Sequence, residues 1–153
     1  MNNWCLNRSA MRRLWVMLAA ILISQAIATA QNPANHPNKA ASAPSISITG
    51  VPHAGTGGPE KIEPISGRAS GVDFARYKVV IYAFAGGTWW VQPTVAEPLT
   101  DIDNKGNWIT DTHLGTSYAA LLVRASFKPP VTANTLPKVQ GDVVAFARVA
   151  GRV

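Results

Sequence analysis

Residues 76–92, RYKVVIYAFAGGTWWVQ, contain two strand-like runs separated by a pair of glycines. Both runs are rich in β-branched and aromatic residues, which favour extended structure. Two glycines can close a tight hairpin because glycine tolerates the positive φ that two-residue turns require. We therefore predict an antiparallel hairpin in which Phe84 lies opposite Trp89 and Ala83 lies opposite Trp90.

The pleat of the hairpin decides where the adjacent tryptophans point, since neighbouring residues of a strand face opposite sides of a sheet. In the first strand, one face carries no charge and consists of Tyr77, Val79, Ile81, Ala83 and Ala85. The other face carries charge at one end and aromatic rings at the other, and consists of Arg76, Lys78, Val80, Tyr82 and Phe84. Charged residues indicate contact with water. We therefore predict that the second face is solvated and carries Trp89 beside Tyr82 and Phe84, while Trp90 fills the core.

Two other interpretations remain open from the sequence. The second strand alone alternates in the opposite sense, because Trp90 shares its face with the polar residues Thr88 and Gln92, and this alternation predicts that Trp90 is outside. A register slip of one residue separates the two interpretations. In a third interpretation both tryptophans are buried, one in the core and one under a loop, as tryptophan usually is. We favour an exposed Trp89 because the pattern of residues 76–85 is longer.

The chain after residue 45 continues as short apolar runs broken by Gly, Pro, Asn and Asp, which is typical of strands and turns. Strands are predicted at 45–50, 62–69, 76–85, 88–92, 107–111, 117–125 and 141–149. Only residues 117–125, SYAALLVRA, could instead form a short helix. About seven strands without alternating helices predict an all-β fold, an antiparallel immunoglobulin-like β-sandwich over residues 46–150, with a small barrel as the alternative.

The first thirty residues have the order of a secretory signal peptide. Arginines at 8, 12 and 13 precede an uncharged apolar run at 14–23, and Ala28-Thr29-Ala30 matches a cleavage site. The run is far shorter than the ~20 residues that span a bilayer. We expect a cleaved signal peptide at 1–30, a secreted or periplasmic protein with no stable membrane span after cleavage, and a flexible linker at 31–45. An uncleaved anchor is the alternative.

Cleavage would change both the cysteine content and the charge of the chain. The one cysteine, Cys5, lies in the signal, so the mature protein would have no disulfide. Removing three arginines lowers Lys+Arg from 14 to 11 against 8 acids, and the net charge falls from +6 to +3. The remaining bases are scattered singly, whereas nucleic-acid binding needs a clustered basic patch. We therefore expect no nucleic-acid partner.

Three further segments were candidates for chemistry. Residues 101–108, DIDNKGNW, resemble a calcium loop, but Lys105 stands where a ligand is needed, so we predict a tight turn and no metal. The glycine-rich residues 53–61 predict a mobile loop. His113 has Asp111 and Ser117 near it in sequence, but no nucleophile motif accompanies them. We therefore expect no enzyme activity and no cofactor.

Four stretches carry a family resemblance: SGRASGVDFARYKVVIYAF, WWVQPT, PLTDIDNKGNWITD and VVAFARV. Together they resemble immunoglobulin-like β-sandwich modules of secreted bacterial proteins, similar to accessory domains of extracellular carbohydrate-active enzymes. The resemblance covers residues 46–150, and Trp89 and Trp90 match the tryptophan pair of such modules. It implies a binding role rather than a catalytic one.

These observations lead us to expect a secreted, non-catalytic module that binds a polysaccharide through surface aromatic residues. The candidate ligand-binding residues are Trp89, Trp90, Tyr82 and Phe84. Sugar rings have C–H faces that stack on flat indoles, and each tryptophan offers ~150–250 Å² of surface. Lys78 and Gln92 are expected to bind sugar hydroxyls. The alternative is a structural or protein-interaction module of the bacterial envelope or secretome, which binds an extracellular protein by its aromatic face or a sheet edge.

Overall fold

The computed structural model describes residues 42–153; the predicted signal peptide at 1–30 and residues 31–41 of the predicted linker lie outside them. The described residues form strands and no helix. The strands are β1 (Ser45–Gly50), β2 (Ile62–Ser70), β3 (Tyr77–Ala85), β4 (Thr88–Gln92), β5 (Asn107–His113), β6 (Ser117–Arg124), β7 (Thr132–Ala133) and β8 (Val143–Ala150). The all-β prediction and the seven predicted strands are confirmed, and the short β7 is added to them. None of the described residues forms a helix that could cross a membrane.

The strands form two antiparallel sheets of unequal width that pack together. The smaller sheet has the order β1-β2-β5, and the larger sheet has the order β7-β4-β3-β6-β8. At one margin β1 contacts β8, and at the other β5 contacts β3 and β4. The larger sheet therefore extends past β5, which reaches only β3 and β4, and β7 lies beyond the strands of the smaller sheet that the structure describes.

The core between the sheets follows the predicted uncharged face of β3. Val79, Ile81 and Ala83 are buried there against Ile65 and Trp108 of the smaller sheet. Trp108 lies directly on Gly67, where an added Cβ would come within 2.4 Å of its Cζ2 atom. The carbonyl oxygen of Ser47 would lie nearer still, at 1.9 Å, so the indole and the neighbouring strand together explain the glycine in mid-strand.

A second apolar layer covers the outer face of the larger sheet, which we had predicted to be solvated. Val80, Tyr82 and Leu121 are buried in this layer. Ala133 of β7 packs against them, and side chains from the connecting segments do the same, namely Leu99, Phe127 and Leu136. β3 and β6 are thus buried on both faces. Burial on both faces explains the nearly continuous apolar run of residues 117–125, which form a strand and not the alternative helix.

Tyr82 fixes the segment that covers the outer face. Its hydroxyl donates a hydrogen bond of 2.9 Å to the carbonyl of Pro130. Its ring is fully buried, and burial raises the pKa of Tyr82 to about 12. The phenol therefore acts as a neutral donor that ties the residues after β6 to the sheet.

Replacing Tyr82 with Phe should destabilise the protein by about 1 kcal/mol, because the hydrogen bond between the Tyr82 hydroxyl and the carbonyl of Pro130 is lost. The melting temperature should fall by roughly 4 °C, measured by thermal unfolding followed by circular dichroism. Tyr77→Phe is the matched control, since no hydrogen bond engages the Tyr77 hydroxyl within residues 42–153, and it should change stability by no more than about 0.5 kcal/mol. Equal losses in both variants would contradict the proposed tie.

Candidate functional site

The hairpin has the predicted register. Phe84 pairs with Trp89, and Ala83 pairs with Trp90. Gly86 and Gly87 between the strands both have positive φ, at 60° and 80°. The register therefore places the two tryptophans on opposite faces of the larger sheet.

The predicted exposure of the two indoles is wrong in both cases. Trp89 does join Tyr82 and Phe84 on the outer face, but it is 4% exposed, Tyr82 is fully buried and Phe84 is half-buried. The connecting segments cover this face, so the three rings form no solvent-facing platform. Trp90 does not fill the core above Ala83; it is 47% exposed. The smaller sheet is too narrow to reach it.

The Trp90 ring has a fixed orientation at this open margin. Its Nε1 donates a hydrogen bond of 3.2 Å to the carbonyl of Ala85, the last residue of β3. That bond satisfies the polar edge of the indole and limits rotation of the side chain. The exposed part of the residue is consequently an apolar surface held in one position.

An apolar cleft lies beside this ring, and we call it the Trp90 cleft. It has a volume of about 480 Å³. Its walls include Gly58, Pro59, Ala85, Trp90, Pro93, Val95 and His113. The cleft is lined by the ends of β3, β4 and β5 and by the glycine-rich loop predicted at 53–61. Among the described residues that line the cleft there is no Asp, Glu, Lys or Arg, and the one titratable side chain is the imidazole of His113.

Gln92 organises the polar end of the cleft from a buried position. Its Oε1 accepts the backbone N–H of His113 at 3.0 Å and lies 2.9 Å from the Nδ1 of the same residue. Its Nε2 donates to the carbonyl of Trp90 at 3.3 Å. The Oε1 atom of Gln92 is thus occupied within the protein and positions His113, while Nε2 uses one of its two hydrogens on the carbonyl of Trp90.

These contacts determine which nitrogen of the neutral His113 ring carries the proton. A backbone N–H can only donate, so the Gln92 atom that faces it must be the oxygen. The same oxygen accepts from Nδ1, so Nδ1 holds the hydrogen and Nε2 is left as an acceptor. His113 can therefore accept a hydrogen bond from a hydroxyl group of a ligand in the cleft.

The other candidate polar residues lie elsewhere. Lys78 pairs with the carboxylate of Asp101, away from the cleft. Asp111 makes no hydrogen bond with His113 among the described residues, and the ring partner of that histidine is the amide of Gln92. Ser117 does not contact the His113 ring through any hydrogen bond in residues 42–153, so the three residues that are close in sequence do not assemble as a catalytic group.

Residues 101–108 form the predicted tight turn. The Asp103 carboxylate accepts the backbone N–H groups of Lys105 and Asn107, both at 2.8 Å, and the Asn107 side chain at 2.9 Å. The Asn107 hydrogen bonds are the main cause that lowers the pKa of Asp103. Gly106 completes the turn with a φ of 85°. Across residues 42–153 no three His, Asp or Glu side chains gather as a metal-binding group.

A polar cluster supports the loop that forms one wall of the cleft. Glu63 accepts the backbone N–H of His53 at 2.9 Å, and its other oxygen lies 3.0 Å from the His53 ring. Tyr118 donates to the carbonyl of His53 at 2.6 Å. Arg152 pairs with the same stretch, since its carbonyl accepts the N–H of Ala54 at 2.7 Å. The start of the 53–61 loop is therefore anchored from three directions.

Comparisons with family models, with curated proteins and with solved structures found no match to this chain. Sequence reasoning named Trp90 but missed the contact between Gln92 and His113 at the same cleft. The one signal available was that Gln92 is polar and shares the Trp90 face, which marks this end of the strand as different from the core.

Gln92→Leu should destabilise the protein by about 1–3 kcal/mol, because the backbone N–H of His113 loses its acceptor. It should also release the ring from its single tautomer. Nitrogen NMR of the neutral ring should find the proton on Nδ1 in the wild type and a shift towards Nε2 in the variant. Gln92→Glu keeps an oxygen acceptor and is the control. A wild-type ring protonated on Nε2 would contradict the assignment.

Acid should weaken the loop anchor through Glu63. The backbone N–H of His53, followed by its ring, lowers the pKa of Glu63 below the ordinary 4.5. A lowered folded-state pKa adds stability that is complete above pH 4.5 and is lost as the pH falls through the folded value. The difference in melting temperature between wild type and Glu63→Gln should therefore shrink below that pH. A difference that stays constant under acid conditions would argue against this anchor.

Proposed function

We propose that this chain is an exported, non-catalytic binding module of immunoglobulin-like type, and that it binds carbohydrate in the Trp90 cleft. The observation that carries the proposal is the half-exposed, fixed indole of Trp90 in an apolar cleft. The secreted or periplasmic location rests on the sequence of residues 1–30.

The strand order supports the immunoglobulin-like assignment. In immunoglobulin lettering β1, β2 and β5 correspond to strands A, B and E, and β3, β6 and β8 correspond to C, F and G, with β4 beside C. Tyr118 adds a second likeness. It is buried near the start of the F-like strand, and its hydroxyl accepts the backbone N–H of Gly115 at 3.0 Å, three residues upstream. That contact has the form of a tyrosine corner, a feature of these sandwiches.

The chemistry of the Trp90 cleft supports a sugar as ligand. Its volume of about 480 Å³ lies within the range of small-molecule sites. Sugars present C–H groups on one face and hydroxyls around the edge, which fits a flat indole beside a single hydrogen-bond acceptor. The Nε2 of His113 supplies that acceptor. With no carboxylate in the cleft, the favoured ligand is a neutral sugar unit.

An apolar strip favours a second candidate, a protein-interaction module. Val95 is 61% exposed and lies in the wall of the Trp90 cleft. It also lines the neighbouring depression that contains Val131, which is 45% exposed. Trp90, Val95 and Val131 thus form one continuous exposed apolar surface. Such a surface can pack against an extracellular protein.

Binding to insoluble neutral polysaccharides tests the first proposal directly. Trp90→Ala should weaken binding at least about tenfold, equivalent to 1.4 kcal/mol, because the stacking surface is removed. Depletion of protein from solution measures the affinity, and the melting temperature shows that the variant is folded. Trp90→Phe should retain part of the binding.

Ile109→Ala is the matched control, since Ile109 is 68% exposed on the smaller sheet and does not line the cleft. It should bind like the wild type. If the wild type binds no polysaccharide, or if Trp90→Ala binds unchanged, the carbohydrate proposal is wrong. Wild-type failure together with a protein partner lost on Trp90→Ala and Val95→Ser substitution would support the second candidate instead.

A further inference from the structure

The charges of this chain are divided unequally along its length. Residues 42–111 contain seven acids and five bases, whereas residues 112–153 contain one acid and five bases. The acid of the second part is Asp142, and it lies 3.7 Å from Arg124. The C-terminal part therefore has a surplus of positive charge that its own acids do not balance.

Two of these bases line a groove on the outer face of the larger sheet, which we call the β8 groove. It has a volume of about 430 Å³ and lies between β8 and the segment that precedes it. Its walls include Trp89, Asn134, Thr135, Lys138, Phe146 and Arg148. No acid lines it. Within the described part of the chain, neither Lys138 nor Arg148 forms an ion pair.

Arg148 is already oriented for an anionic ligand. Its guanidinium lies over the Trp89 ring at 4.9 Å from the centroid. Trp89 is itself fixed, since it is buried and packs against Phe84 with ring centroids 4.9 Å apart. A guanidinium stacked by its face keeps its N–H edges free for a carboxylate. Because the side chain is already held, less conformational entropy is lost when an anion binds.

Phe146 adds an apolar surface beside the guanidinium. It lies two residues before Arg148, so both side chains project from the same face of β8. It is 42% exposed, although it belongs to a sheet whose other outer residues are largely covered. Across the groove, Asn134 and Thr135 offer an amide and a hydroxyl. An apolar ring, two free cations and neutral polar groups therefore share one open groove.

We propose that the β8 groove binds an acidic polysaccharide through a carboxylate-bearing sugar unit. The carboxylate pairs with the Arg148 guanidinium in a two-pronged contact and with the Lys138 ammonium. The sugar ring stacks on Phe146, and its hydroxyls bond to Asn134 and Thr135. The site is separate from the Trp90 cleft, because the two lie on opposite faces of the larger sheet, and it stands whether or not that cleft binds sugar.

The test measures affinity of the mature chain for polygalacturonate, for neutral dextran and for poly-glutamate by titration calorimetry. Polygalacturonate should bind, and binding should weaken as salt is raised, since exposed charges are screened. Arg148→Gln should weaken it at least about tenfold, equivalent to 1.4 kcal/mol. Lys138→Gln should weaken it by a smaller factor, and Phe146→Ala should weaken it without changing the salt dependence.

Arg124→Gln is the matched control, because it removes the same charge from a neighbouring strand of the same sheet, where Asp142 lies beside it. It should bind like the wild type.

Lys138→Gln removes an exposed side chain and keeps the test valid if Arg148→Gln fails to fold. If Arg124→Gln and the groove variants lose affinity equally, binding depends on net charge alone and the proposed site is wrong. If poly-glutamate binds more strongly than polygalacturonate, the ligand is an acidic peptide and the proposal of a sugar is wrong. Trp90→Ala should retain binding, which separates this result from failure of the Trp90 cleft.

Discussion

The alternation of side chains along a β-strand forces Trp89 and Trp90 to opposite faces of the larger sheet, and the paired glycines fix which face each one takes. Both candidate sites depend on that one register. Trp89 faces outward and becomes the buried support for Arg148, while Trp90 faces inward and reaches the open margin of the sandwich. A slip of one residue would exchange the two indoles, removing the cation support from one face and the exposed ring from the other.

The unequal width of the two sheets determines which of the alternating side chains are buried and which stay exposed. Five strands cannot be covered by three, so the inner face at the β4 end stays open and becomes the Trp90 cleft. On the outer side no sheet is available, and the connecting segments around Leu99, Phe127 and Leu136 supply the missing apolar cover. The gap between that cover and β8 is the β8 groove. The Trp90 cleft and the β8 groove therefore both lie where the cover over one face of the larger sheet is incomplete.

The sequence predicted the parts of this structure that depend on neighbours along the chain. The strands follow from local composition, and the hairpin register follows from the two-glycine turn. Exposure could not be predicted in the same way, because it depends on segments distant in sequence. The charge of Lys78 suggested that its face of β3 is solvated. Lys78 instead pairs with Asp101, which lies in the segment between β4 and β5. The later residues on the same face, Val80 and Tyr82, are buried. Only the unbroken apolar run of β6 gave a local signal that both faces are buried.

The candidate site likewise has a part that the sequence predicted and a part that depends on residues distant in sequence. Trp90 could be named from sequence because paired tryptophans are conspicuous. The contact between Gln92 and His113 joins residues 21 positions apart on strands of different sheets, and it exists only because β5 ends over β4. The pairing of Arg148 with Trp89 likewise joins strands that do not neighbour each other in the sheet order. Such contacts depend on how the strands are arranged in the fold, and the spacing of residues along the chain does not predict them.

The accessibility of the three tryptophans in the folded domain tests this account most directly. Brief oxidation of the native protein, followed by peptide mapping with fragmentation, reports the modification rate of each indole separately. The account predicts that Trp90 is modified first and that Trp89 and Trp108 react only when the protein unfolds. A native protein in which Trp89 is modified as fast as Trp90 would contradict it.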